Sequence, residues 1–73
     1  MERYFMSRTS AVGLLVDTRQ ALVADMHDKP PHEAERNQQM IQEVERLLLD
    51  VRIGRKREFR LEFPNRMDVV VSD

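Results

Sequence analysis

The sequence predicts a small α+β domain: an antiparallel sheet of two hairpins, at about 11–26 and 57–72, with one amphipathic helix at about 31–52 packed across it. Three observations predict this arrangement. Apolar residues from Ala34 to Val51 recur at helical spacing. From Phe59 onward the apolar period falls to two. The segment "AVGLLVDTRQALVADM" folds back on itself with its apolar residues in register.

The first element is an N-terminal arm, residues 1–9, ahead of a single domain at 10–73. Two of the chain's few aromatic side chains, Tyr4 and Phe5, sit here beside Met6 and between Arg3 and Arg8. Termini are commonly the least ordered part of a chain. Aromatic surface at this place is therefore either a short edge strand, "YFM", capping the core, or an anchor for a partner. Tyr, Phe, Met and Arg are the residue types that interfaces favour. Arg3, Tyr4, Phe5, Met6 and Arg8 are accordingly the candidate protein-binding residues.

The segment 11–26 admits two readings. As a hairpin turning at Thr18-Arg19-Gln20, it sets Val16 opposite Leu22, Leu14 opposite Ala24 and Val12 opposite Met26, with all six on one face. As a helix capped by Thr9 or Ser10, it buries Val12, Leu15, Val16, Val23 and Met26, but Arg19 interrupts the stripe. The hairpin is the preferred reading, with Asp17-Thr18 as turn chemistry.

The helix at about 31–52 has clearer signals. Ala34, Ile41 and Leu48 repeat every seven residues, Val44 and Val51 fall between, and Met40 and Leu47 widen the face. Pro30-Pro31 suits its start, Glu33 and Glu35 suit the positive end of its dipole, and Gly54 its C-terminal stop. In the last segment Phe59, Leu61 and Phe63 alternate with Glu58, Arg60 and Glu62, and Met67, Val69 and Val71 follow Pro64-Asn65-Arg66. A three-residue loop would pair Phe63 with Met67, Leu61 with Val69 and Phe59 with Val71, all on one face.

At 73 residues the core is thin and the expected stability is a few kcal/mol. There is no cysteine, hence no disulfide or thiolate metal site, which fits a reducing cytoplasm. No apolar run approaches the about 20 residues needed to span a bilayer, and the start lacks the layout of a signal peptide. The net charge of −1 hides a segregation. Asp17 to Asp50 holds eight acids and four bases, whereas Val51 to Arg66 holds six bases and two acids. Such a chain has two electrostatic faces.

The stretch "EAERNQQMIQEVERLLLDV", after Val23-Ala24-Asp25, resembles a helix common in small phage and prophage proteins, through Glu33, Ala34, Asn37, Ile41, Leu47 and Leu48. In length, compactness and N-terminal segment the chain is also similar to the very small Xanthomonas-phage type of regulator that binds host RNA polymerase. That resemblance implies a non-enzymatic, phage-encoded transcription regulator in the host bacterial cytoplasm. Its partner would be the N-terminal region of the β′ subunit near the RNA exit channel, and its effects inhibition of initiation and antitermination.

No catalytic constellation is present in the sequence. His27 and His32 straddle a double proline and read as solvated loop residues, and a zinc site needs further ligands. Gly13 and Gly54 are isolated, so no phosphate-cradling loop exists. No enzyme activity, cofactor, metal or membrane contact is expected. "RIGRKREFR" clusters Arg52, Arg55, Lys56, Arg57 and Arg60, candidates for contact with nucleic acid or an acidic surface. They support an alternative reading as a small dimeric DNA-binding repressor using segment 52–60.

Overall fold

The computed structural model describes residues 3–72. Met1 and Glu2 of the expected arm, and Asp73 at the end of the expected domain, lie outside the described residues. The chain runs β1 (Arg3–Met6), α1 (Arg8–Met26), α2 (Pro31–Arg52), β2 (Glu58–Leu61) and β3 (Met67–Val71). The strands form one mixed sheet in the order β1-β3-β2, with β1 parallel and β2 antiparallel to β3.

Residues 11–26 are not a hairpin but most of helix α1, so the fold is two helices and one three-stranded sheet. The local chemistry explains the difference. Ser7 has extended backbone, and its hydroxyl accepts the Ser10 N–H at 3.2 Å, capping the helix earlier than Thr9 or Ser10 would. Thr18-Arg19-Gln20 contains none of the Gly, Asn or Pro that a tight hairpin turn favours. The Thr18 hydroxyl donates to the Leu14 carbonyl at 2.8 Å, which satisfies a side chain that is buried. Arg19 does not break the stripe, because the buried face is Ala11, Leu15, Thr18 and Leu22. Arg19 lies on its flank and donates to Glu45 at 2.8 Å.

Helix α2 begins at Pro31, whose missing N–H is harmless in the first turn, and carries Glu33 at its positive end. It stops where Gly54 takes φ 78°, a left-handed conformation that glycine adopts without strain. The Arg55 and Lys56 N–H groups then donate back to the Asp50 carbonyl at 2.9 and 3.2 Å. Contacts between the helices run in opposite chain directions: Asn37 meets Leu22 and Asp25, Glu45 meets Arg19, and Gly54 meets Arg8. The helices are therefore an antiparallel pair.

The C-terminal hairpin pairs Leu61 with Met67 and Phe59 with Val69. This is two residues away from the expected register, with a loop of residues 62–66 in place of 64–66. A slip of two preserves the faces, because side chains alternate with period two. Phe59, Leu61, Val69 and Val71 are buried, whereas Phe63 leaves the ladder and packs at the core's margin. Together with Ala11, Leu15, Leu22, Ile41, Val44 and Val51 the four form the core between helices and sheet.

Among the described residues Asn37 is the other buried polar one, 5% exposed, and its amide donates to the Leu22 carbonyl at 3.2 Å and to the Asp25 carboxylate at 3.0 Å. Leu15 is fully buried, so Leu15→Ala is expected to cost about 2–5 kcal/mol in urea unfolding. Asn37→Ala removes the donor that ties the helices and is expected to cost about 1–3 kcal/mol. A loss below about 0.5 kcal/mol at either position would contradict the helix packing described here.

Candidate functional site

The sheet buries one face and leaves the other bare. Strand partners lie side by side on the same face, so the register defines two rows on the outer one. Arg3, Asp68 and Arg60 form one row across β1, β3 and β2, and Phe5, Val70 and Glu58 form the next. Arg3, Phe5, Glu58 and Arg60 are exposed, and Asp68 and Val70 are half-buried. Phe5 is 69% exposed although it sits in a paired strand. Most large apolar side chains in strands turn inward, so an aromatic ring held outward on fixed backbone is a preorganised contact.

The other residues of the N-terminal set do different work. Met6 packs against the core, and its carbonyl accepts the Ser72 N–H at 2.8 Å. Tyr4 pairs with buried Val69 on the inner face, where the open sheet edge leaves it 38% exposed. Arg8 opens α1, and its guanidinium lies over Gly54, 3.4 Å from where a Cβ would stand. That brings a cation to the negative end of α2. The expected anchor therefore divides: Arg3 and Phe5 face outward, Tyr4 and Met6 edge the core, and Arg8 joins the N-terminal segment to the basic loop.

That loop is ordered by its backbone. Besides the bonds to Asp50, the Arg57 carbonyl accepts the Val71 N–H at 2.7 Å. The side chains of Arg52, Arg55, Lys56 and Arg57 are exposed. Arg60 stands in the outer row, where it donates to Asp68 at 2.7 Å, and it lines a shallow crease with Lys56. Charge follows the layers. Residues 3–7 and 53–72, which carry the sheet, hold six bases and three acids. Residues 8–52, the helix layer, hold eight acids and six bases.

Among the described residues no group of three or more His, Cys, Asp or Glu could hold a metal ion, and no helix is long and apolar enough to cross a membrane. His27 and His32 are not on a loop of their own: His27 caps α1 and His32 lies in the first turn of α2. The sequence reading missed Asp68, Val70 and Glu58 as parts of a surface. The polar members of the strand alternation were the available signal, but the edge strand "YFM" offered by the sequence had no assigned neighbour or register, so they had no row to join.

The hydrogen bond from Arg60 holds the Asp68 carboxyl below its usual range, and Arg66 and Arg3 add to the effect. A carboxyl lowered on folding stabilises the fold above its unfolded-state range and loses that contribution as pH falls through the folded value. An NMR titration is expected to show Asp68 ionising at lower pH in the parent chain than in Arg60→Gln; equal midpoints would contradict the pairing.

No curated protein and no solved structure matches the chain. A family description does match, and it names no activity or partner. The match extends over residues 2–72, nearly the entire sequence, and the chain belongs to the family described as uncharacterized protein BTH_I2711-like.

Proposed function

We propose that the chain is a non-enzymatic binding protein that takes a protein partner on the bare face of its sheet. The observation that carries this is Phe5, an exposed aromatic on paired backbone, flanked by Arg3 in its own strand and by apolar Val70 beside it. Within the two rows Arg3 and Arg60 are balanced by Glu58 and Asp68. A locally neutral patch with an aromatic centre suits a protein surface better than a phosphate backbone. The partner implied by the phage resemblance is bacterial RNA polymerase, through the N-terminal region of β′ near the RNA exit channel. On this reading the protein acts in the host cytoplasm, inhibiting initiation and permitting antitermination, with the basic loop approaching RNA or an acidic polymerase surface.

The exposed cations of residues 52–57 favour a second reading, contact with nucleic acid. A repressor of the helix-turn-helix kind has little support. The helices pack antiparallel along their length, and the exposed residues of α2 include Glu33, Glu35, Glu43 and Glu45 against Arg36, Arg46 and Arg52.

Binding to purified RNA polymerase and to duplex DNA separates the readings. Phe5→Ala is expected to weaken polymerase binding by about 2 kcal/mol, roughly thirtyfold, with the circular dichroism spectrum unchanged. Replacing Arg55, Lys56 and Arg57 by Gln is expected to weaken it less. Steeply salt-dependent DNA binding that survives Phe5→Ala and disappears in the basic-loop variant would overturn the protein-partner reading.

A further inference from the structure

We infer that the helix layer docks on a second copy of this chain, through the surface turned away from the sheet, to form a four-helix bundle with a sheet on either side. The surface is marked by the Arg19–Glu45 ion pair, which bridges α1 and α2 with both side chains nearly half exposed. Residues three, four and seven apart share a helix face. At −7, −3 and +4 from Arg19 stand Val12, Val16 and Val23, and at the same offsets from Glu45 stand Gln38, Gln42 and Leu49; the exposed Arg52, at +7 from Glu45, bounds this set of six at the end of α2. None of the six is charged, in a chain that is 34% charged. Leu49 is 60% exposed and Val16 38%. The sheet-facing side of α2 is the one bearing Leu47, which lines a crease with Leu61 and Phe63. Leu49 is rotated about 200° from it at about 100° per residue, so it points away from the sheet.

Gly13 is an independent observation. It lies inside α1, where glycine is unfavourable relative to alanine, and it has ordinary helical backbone. A Cβ there would meet nothing within 4 Å. Nothing in a single copy requires a glycine at this place, whereas the close approach of another helix does. Gly13 is three residues before Val16 and borders the same surface. Beyond its buried stripe α1 carries Val12 and Val23, half-buried against the core, and Val16, which is exposed, so the apolar surface of the helix extends past what one copy covers.

The occupant follows from symmetry and charge. A two-fold axis parallel to the helices lays α1 of each copy antiparallel over α2 of the other. It sets Arg19 of each copy over Glu45 of its mate and Val16 over Leu49. The two ion pairs then close into a ring of alternating charge. A helix about 33 Å long beside its neighbour presents about 600 Å² per copy, about 1,200 Å² in total, enough for a specific dimer. This surface is distinct from the outer sheet face, and the variants below leave Phe5 and Arg3 untouched, so either reading can fail without the other.

Sedimentation equilibrium of the intact chain tests the inference. The parent chain is expected to reach dimer mass and to dissociate on dilution. Leu49→Asp and Gly13→Arg are expected to weaken the dimer at least about tenfold while keeping the helical circular dichroism. Gly13→Arg has room in the single copy and replaces a poor helix former, so its thermal midpoint in dilute solution should equal or exceed that of the parent chain. Arg19→Glu and Glu45→Arg chains, each impaired alone, are expected to form a heterodimer when mixed. A parent chain that stays monomeric up to about 1 mM, or a dimer indifferent to both Leu49→Asp and Gly13→Arg, would overturn the inference.

Discussion

The packing of α1 against α2 is the constraint on which the rest of this fold depends. The strands are only four or five residues long, and a sheet that small does not stand alone in water. It persists because Phe59, Leu61, Val69 and Val71 close over a floor made by Ala11, Leu15 and Leu22 from one helix and Ile41, Val44 and Val51 from the other. Asn37 sets the axial position of the two helices by bonding across to Leu22 and Asp25. Once that position is set, the C-terminus of α2 delivers β2, the hairpin returns β3, and the start of α1 hands β1 to the free side of β3. Phe5 reaches its outward place only at the end of this chain of dependence.

What was legible in the sequence follows the same hierarchy. Helix α2 and the alternation of β2 and β3 were readable because each buries one face against one neighbour, and a one-sided environment leaves a clean period. The hairpin register was not, since slips of two residues are equivalent in facing and differ only in loop length; the fate of Phe63 decided it. Helix α1 was misread for a more specific reason. Its run Ala11–Val16 is apolar at five of six positions, which satisfies period two and period 3.6 alike. The deciding information lay outside the run, in Ser7 as a cap and in Thr18, a polar residue that a helix interior can satisfy through its own backbone. β1 joins a strand 65 positions away in sequence, Arg3 to Asp68, and no local pattern announces such a pairing.

The candidate site was legible in part. Composition alone singled out Arg3, Phe5 and the basic loop, and the fold gathers these around β3. Composition did not separate Tyr4 and Met6, which serve the core's edge, from Phe5, because the three differ only in which face of β1 they occupy. Nor did it reveal the layering of charge. The split along the chain was visible, but only the fold makes residues 3–7 part of the cationic layer with 53–72. A net cationic sheet layer with an aromatic on its bare face, backed by a net acidic helix layer whose outer surface carries the Arg19–Glu45 ion pair, gives one small chain two sides of different chemistry.

Native-state hydrogen exchange on the intact chain tests the central claim, that a paired α1 and α2 hold the sheet in place. The account predicts that the slowest amides are those of Leu15–Leu22 and Ile41–Val51, exchanging together at the free energy of global unfolding, with β1 opening earlier by a local route. Fast exchange through Asp17–Leu22 while the amides of β2 and β3 remain protected would contradict it, since the sheet would then be standing without the helix said to support it.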